Sequence, residues 1–327
     1  MSTGTRMTPD ARQRGVALLV AMVVLAIGAM LATSMIWDRE LDIRRFANIK
    51  QGDQAMEYAL GAEAWAEQIL LRDFQKHGEL INMNQSWATQ LPPLPIEGGT
   101  LSGHLQDLQG LFNINNLAAA NAAQSSAALA QFQRLLIGLN LDPGIANAVT
   151  DWVNAGDQPH YPGGAKDEFY SQLAPPYLAA EQPMTDVSEL LLVKGVTPQV
   201  YAALLPYVCA LPLHAPDAAP GAPGQPTSVN INTAPAPVLA SLSEGISQGA
   251  AAAAVQARQQ QVFVSVGELQ NLLQRTLAVG LKPGLASSYF LLTVRVQIGS
   301  TEFTLYSLLY RASNGTTIAI RRTFGIL

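Results

Sequence analysis

The sequence predicts an α+β protein: a long N-terminal helix, transmembrane in its first part, packed on a small antiparallel sheet that a large inserted all-α domain interrupts. Three observations carry that reading. An uncharged run from Val16 to Ile36 is followed by helical periodicity as far as His77. Alternating apolar residues mark strands at 100–109 and again beyond residue 287. The roughly 175 residues between those strands read as mostly helical.

At about 1.5 Å per residue the run from Val16 to Ile36 makes a helix of roughly 30 Å, enough to cross a hydrocarbon core. Arg6, Arg12 and Arg14 precede it, and the first acidic residue after it is Asp38. The positive-inside rule puts the N-terminus in the cytoplasm and the rest of the chain across the membrane, as a single pass. A cleaved signal peptide is the alternative, but its apolar core is ordinarily about 7–15 residues. Arg39, Asp42, Arg44, Arg45 and Lys50 sit where the helix leaves the membrane. Beyond them Met56, Ala59, Leu60, Ala66, Leu70 and Phe74 recur at helical steps and predict one buried face. Gly52 and Gly61 weaken the helix, so two helices broken near Gly52 are the competing form. Gly78 is the expected stop.

Pro92, Pro93 and Pro95 mark a loop, and Thr100–Gln109 a strand. At the other end Phe290, Leu292, Val294 and Val296 alternate within 288–297. Gly299-Ser300 and Gly315 supply turns into two further strands, 301–310 and 316–324. The insertion holds an internal repeat. Asn113-Ile114-Asn115 returns as Asn230-Ile231-Asn232, and Asp186-Val-Ser-Glu-Leu190 is answered by Ser265-Val-Gly-Glu-Leu269. Asn115 or Asn116, and Thr233 before Pro235, are expected helix caps; Asp186 with Glu189 and Ser265 with Glu268 have capping-box spacing. Five prolines within 211–227 predict an extended, mobile linker between the copies.

Composition narrows the chemistry. Only 13% of residues are charged and the formal net charge is -5. Lys194-Gly195-Val196-Thr197 between two short helices suggests a helix-hairpin-helix turn, and hence a membrane-anchored DNA-binding protein as the alternative function. Yet from His104 to Phe290 six Lys and Arg face twelve Asp and Glu, and phosphate binding needs clustered cations. No nucleic acid is expected. Gly245-Ile246-Ser247-Gln248-Gly249 matches G-x-S-x-G, but helices flank it on both sides and no His or Asp partner is suggested, so a hydrolase is not expected. Cys209 is the one cysteine. It excludes an intrachain disulfide and reads as a small core residue at a helix end. The four scattered histidines offer no His-rich metal site, and His160 reads as a surface residue.

Residues 151–170 (DWVNAGDQPHYPGGAKDEFY) are irregular and dense in oxygen ligands. Asp151, Asp157, Asp167 and Glu168 are the candidate ligands for Ca²⁺, which takes about 6–8 oxygens. Asp157 and Glu168 have the one-to-twelve spacing of an EF-hand, but Pro159, Tyr161 and Pro162 break that pattern. A solvated acidic loop, capped locally by Asp and Asn, is the alternative.

The junction at Gly15 resembles that of type IV prepilins: a basic leader, then Gly15, then the apolar run beginning at Val16. The resemblance implies that a prepilin peptidase cuts after Gly15 and that Val16 becomes a methylated N-terminus. Pilin-like subunits mostly carry Glu at the fifth mature position, where it pairs with the amine of a neighbour; here that position is Val20. A chain without this buried charge has nothing to offer the amine of a subunit above it.

Taken with Asp107-Leu-Gln-Gly-Leu-Phe-Asn-Ile-Asn-Asn116, Gly163-Gly-Ala-Lys-Asp-Glu-Phe-Tyr170, Val187-Ser-Glu-Leu190 and Asn230-Ile-Asn-Thr-Ala-Pro235, the whole chain resembles the K-type minor pseudopilins of type II secretion. That resemblance implies a pilin-like fold and no enzymatic activity. It implies a leader at 1–15, a transmembrane helix at 16–36, the pilin-like helix and first strand at 37–109, an inserted domain at 110–287 and C-terminal strands at 288–327. It further implies a single-pass inner-membrane protein with a periplasmic head, at the tip of a pseudopilus. There it would partner the I- and J-type minor pseudopilins, prime assembly and aid export of folded proteins. Calcium in the inserted domain is also implied. Lys166 departs from the family pattern, in which an acidic residue usually precedes the Asp of this loop, so a carboxylate is missing there.

Overall fold

The computed structural model describes residues 11–90, 92–277 and 283–325. Arg6 and the rest of residues 1–10 of the expected leader lie outside them. The long helix, α1, is one continuous element, Ala11–His77, of 67 residues. It runs through Gly52 and Gly61 without a break. It ends where Gly78 donates its N–H to the carbonyl of Phe74 at 2.7 Å.

Among the described side chains, the first half of α1 stands clear of the rest of the molecule. Its apolar side chains from Val16 to Trp37 are exposed, as befits a lipid-facing segment. The second half buries a stripe made of Ala55, Ala59, Glu63, Ala66, Leu70 and Asp73, spaced by three and four residues. The expected face is therefore rotated: Met56 is exposed and Phe74 only half-buried. Alanines bring the helix backbone close to the sheet, Glu63 finds Ser307 and Arg322 there, and Asp73 accepts the Trp87 N–H from the turn after the helix, so the contact line follows small and acidic positions rather than the largest apolar ones.

The strands in chain order are β1 (Leu94–Ile96), β2 (Gly99–Asp107), β3 (Phe112–Asn113), β4 (Val208–Cys209), β5 (Tyr289–Ile298), β6 (Thr301–Arg311) and β7 (Thr317–Phe324). Five of them form an antiparallel sheet of order β1-β2-β5-β6-β7. Phe290, Leu292, Val294, Val296 and Ile298 all face α1, at the expected period of two. β1 occupies part of the proline-marked loop. Pro95 is tolerated because β1 is the edge strand and needs no outer ladder bond there. β3 and β4, a parallel pair of two residues each, have no periodicity by which a sequence could announce them.

The helices after α1 are α2 (Ala122–Gly138), α3 (Ile145–Val153), α4 (Asp167–Tyr170), α5 (Pro198–Leu204), α6 (Ala236–Ser241), α7 (Gln248–Gln260) and α8 (Val266–Leu273). All fall between β2 and β5. They share a second core, which includes Phe112, Phe132, Trp152, Tyr170, Leu190, Val238 and Leu269.

The repeated Asn-Ile-Asn segments do equivalent work. Asn113 and Asn230 each accept the N–H of the residue two further on, at 3.1 and 2.9 Å. Asn115 clamps Met184, accepting its N–H at 2.7 Å and donating to its carbonyl at 2.9 Å. Asn232 clamps Phe263 in the same way, at 3.1 and 2.9 Å. Each clamped residue stands two before the cap of the next helical turn, Asp186 or Ser265. The expected caps are corrected in part. Asn121 caps α2 and Pro235 precedes α6, while the hydroxyl of Thr233 is turned to Asp107.

The proline-rich stretch 211–227 lacks helix and strand but is held at several points. The Leu211 N–H donates to Asn113, Thr227 is tied to Asn116, and the Tyr310 hydroxyl donates to Asp217 at 2.5 Å. Leu211 belongs to a third apolar cluster with Leu111, Cys209, Tyr289, Leu308 and Tyr310, which joins the insertion to the sheet. Cys209 lies in β4, directly after the 3-10 turn Leu205–Tyr207, and is the small core residue expected there.

Candidate functional site

Two regions hold the candidate functional residues: the N-terminal junction with the end of the molecule opposite it, and the loop 151–181. Gly15 and Val16 lie within α1, and Val20 follows Val16 by one turn, with both valine side chains exposed. The apolar segment continues directly into the helix that organises the head.

Landmarks along α1 fix the direction of the head. Gln51 accepts from the Thr301 hydroxyl at 3.0 Å, so the β5–β6 turn lies beside the helix soon after it leaves the apolar run. At the other end Arg311 donates to the Ser287 carbonyl at 2.9 Å and lies over the Phe74 ring at 5.4 Å. Leu80 bridges to Ala286. The insertion leaves the sheet after Asp107 and returns before Phe290, and these two residues are paired across β2 and β5. Both junctions are thus at the end of the sheet farthest from the apolar segment.

Asp107 joins the two parts. It is buried, and its carboxylate accepts from Ser287 (2.6 Å), Thr233 (2.6 Å), the N–H of Gln109 (2.9 Å) and Asn230 (3.1 Å). Burial pushes its pKa up against these hydrogen bonds, which pull it down. Nothing in the sequence marked Asp107 beyond its place in a motif, because its four partners come from positions up to 287.

The candidate calcium ligands are only partly brought together. Asp151, in the last turn of α3, is fully buried and both its oxygens are engaged: Oδ2 accepts the His160 N–H at 3.0 Å and Oδ1 meets His160 Nδ1 at 2.5 Å. Gly164 is required beside it, since a Cβ there would lie 2.2 Å from Asp151 Oδ2. Asp157, Asp167 and Glu168 line a separate cleft of about 410 Å³ with Lys166 and Glu181. One Asp167 oxygen is already taken by the N–H of Ala179 at 2.8 Å.

Inside this region the ammonium of Lys166 donates to the carbonyls of Asp151 (2.8 Å) and Asn154 (2.5 Å) and lies 3.7 Å from Glu181. Among the described residues no three His, Cys, Asp or Glu side chains converge to hold a metal. Calcium needs about 6–8 oxygens, and a side-chain cation already occupies the carbonyls. The set Asp151, Asp157, Asp167 and Glu168 therefore does not fit a calcium ion as arranged here. In the sequence Lys166 stands out only as a lost carboxylate. Its two carbonyl partners come from residues with no side-chain signature.

The two motif hits become structural. Gly195-Val196-Thr197 and Gly245-Ile246-Ser247 are matching turns, with the glycines at φ +84° and +77°, a region that disfavours any other residue. Thr197 caps α5 and Ser247 caps α7, the latter accepting from Ala250 at 3.1 Å. Most described cations of the insertion are spent internally, while Arg275 is exposed beside Gly245. Arg134 donates to Ser241, buried Arg258 to Ile231, and Lys194 to Gly164 while lying over the Phe169 ring. Lys282, the other basic residue near the insertion's end, lies outside the described residues.

A half-exposed apolar helix laid on a small antiparallel sheet, with a helical domain carried between two strands, defines a pilin-like subunit with an inserted domain. Family models described as type II secretion system (T2SS) protein K match residues 110–213 and 229–286. Type II secretion system protein K of Aeromonas hydrophila is 30% identical, over 96% of this chain and 98% of that protein. The Pseudomonas aeruginosa protein of the same description is 33% identical, over 96% and 93%. A chain in the crystal structure of the GspK-GspI-GspJ complex from the enterotoxigenic Escherichia coli type 2 secretion system shares the fold. It has a TM-score of 0.68 at 23% identity and covers 86% of this chain and 100% of that one. The chain belongs to the type II secretion system protein K family, whose members are minor pseudopilins.

Proposed function

We propose that this protein is the tip subunit of a periplasmic type II secretion pseudopilus, where it helps to start pseudopilus assembly and to export folded proteins across the outer membrane. The observation that carries this is the position of the insertion. It sits at the end of the sheet opposite the apolar half of α1, where it would block a subunit stacking above but not one docking below. Val20 supports the same place, since it offers no carboxylate to a neighbour's amine.

In this reading the chain is inserted in the inner membrane with its N-terminus cytoplasmic and its head periplasmic. Prepilin peptidase cuts after Gly15, and Val16 is then methylated. The I- and J-type minor pseudopilins are its partners, as they are in the complex of the structural neighbour. Intact mass measurement of the chain from cells should find Val16 at the N-terminus with one added methyl. An uncut chain, or a cut within the apolar run, would overturn the processing step. Co-purification of the full chain from envelopes should bring the I- and J-type subunits with it. Their absence, with the chain recovered in the membrane, would sink the tip assignment.

A further inference from the structure

We propose that the ammonium of Lys166 is a built-in cation that orders the loop 154–181, so that this loop keeps its shape without a divalent metal. The geometry is that of a cation site. A side chain that is seldom buried lies 7% exposed. Its nitrogen has three donors. Two of them reach the carbonyls of Asp151 and Asn154, at 2.8 and 2.5 Å. The remaining one has Glu181 at 3.7 Å as its counter-charge.

These contacts gather three separate stretches of chain: the end of α3, the start of α4 and the segment after Ala180. Glu181 adopts φ +50°, which side-chain-bearing residues rarely take. It is held there by its N–H to the Trp152 carbonyl at 2.8 Å and by its ion pair with Lys166. The other charged groups facing the cleft are Asp157, Asp167 and Glu168. The ammonium offsets part of their mutual repulsion. A second ammonium, that of Lys194, donates to the Gly164 carbonyl at 3.3 Å from the far side of the same loop.

A buried ammonium bonded to carbonyl oxygens supplies the positive charge and the cross-links that a metal would supply, but its length and direction are fixed by the chain. Removing the charge leaves the buried Asp151 carbonyl and the partly buried Asn154 carbonyl without this donor and Glu181 without its counter-charge.

Hydrogen exchange of the full-length chain in detergent tests this, with the sheet amides of β5 and β6 as an internal reference for the folded state. The wild-type loop 154–181 should show equal protection, within about twofold, in calcium and in chelator. Lys166→Met should lose about tenfold or more protection in that loop under both conditions while the sheet stays protected. Lys166→Glu, which exchanges the cation for a carboxylate, should be unprotected in chelator and regain protection with calcium. A wild-type loop that opens in chelator and closes with calcium would overturn the proposal. So would a Lys166→Met or Lys166→Glu loop that stays protected in chelator.

Discussion

At the scale of single residues, buried polar groups decide more than the apolar ones. Asp107 accepts four hydrogen bonds and joins β2, the second Asn-Ile-Asn segment and the entry to β5. Replacing it by Ala orphans several buried donors at about 1–3 kcal/mol each, partly offset by relaxation. Asp107→Ala should therefore unfold at visibly lower denaturant, with a loss of a few kcal/mol by the same reckoning. Its raised pKa gives a pH signature. The folded state holds the proton more tightly than the unfolded one, so this contribution is complete below the ordinary carboxylate range and falls as pH rises through the raised value. Asp107→Asn should lose less Tm than the wild type between about pH 5 and about pH 8. Cys209 is buried, donates to the Leu108 carbonyl at 3.3 Å, and has its pKa pushed up by burial and by Asp107. Alkylation at about pH 8 should fail on the native chain and reach one equivalent in denaturant. The Cys209 environment was legible from the rule that free cysteines are buried; that of Asp107 was not, because its partners are distant in sequence.

At the scale of elements, α1 and the sheet are matched in length and locked by one charged contact. The helix from Gln51 to Phe74 spans roughly 35 Å, and a ten-residue strand such as β5 roughly 33 Å. Glu63, buried in the contact stripe, accepts from the Ser307 hydroxyl and pairs with Arg322 at 2.7 Å. Arg322 is 45% exposed, so the pair itself adds little, and the cost of breaking it comes from the buried acid. Arg322→Ala, which leaves Glu63 buried and unpaired, should destabilise the head more than Glu63→Gln, which keeps an acceptor for Ser307. Thermal melts of the two variants give the order, and a reversed order would refute this account. The extent of α1, the strands β2, β5, β6 and β7 and their hairpin turns were legible because period and turn chemistry are local. The face that α1 buries was not. Helical spacing allows several stripes, and the sheet selected one lined with alanine.

At the scale of the whole molecule, the apolar half of α1 and the helical insertion occupy opposite ends of one long element. That polarity suits a subunit anchored at one end and terminal at the other. Val20→Glu would restore the charge that lets a subunit be capped. On the proposed tip placement it should move the chain to a lower position, measured by which minor pseudopilins crosslink above and below it. No change would leave the tip position resting on the insertion alone. Ligand density alone predicts calcium at 151–170; the fold gives Asp151 to His160 and places the Lys166 ammonium on the carbonyls of Asp151 and Asn154, and on that geometry rests the proposal that the loop is ordered without a metal.

The sequence by itself determined an apolar run long enough to cross a membrane, the prepilin-like junction at Gly15 and Val16, the absence of a carboxylate at Val20 and the internal repeat. Each of these is a statement about neighbours in the chain or about a repeated local pattern. Only the tertiary structure decided which stripe of α1 is buried, that the insertion sits opposite the anchor, and that Lys166 and not a cluster of carboxylates fills the centre of the loop. Those outcomes depend on which distant groups meet. A buried carboxylate or ammonium is tolerated only where such a meeting supplies its partners, so the choice among locally equivalent residues is made by the fold.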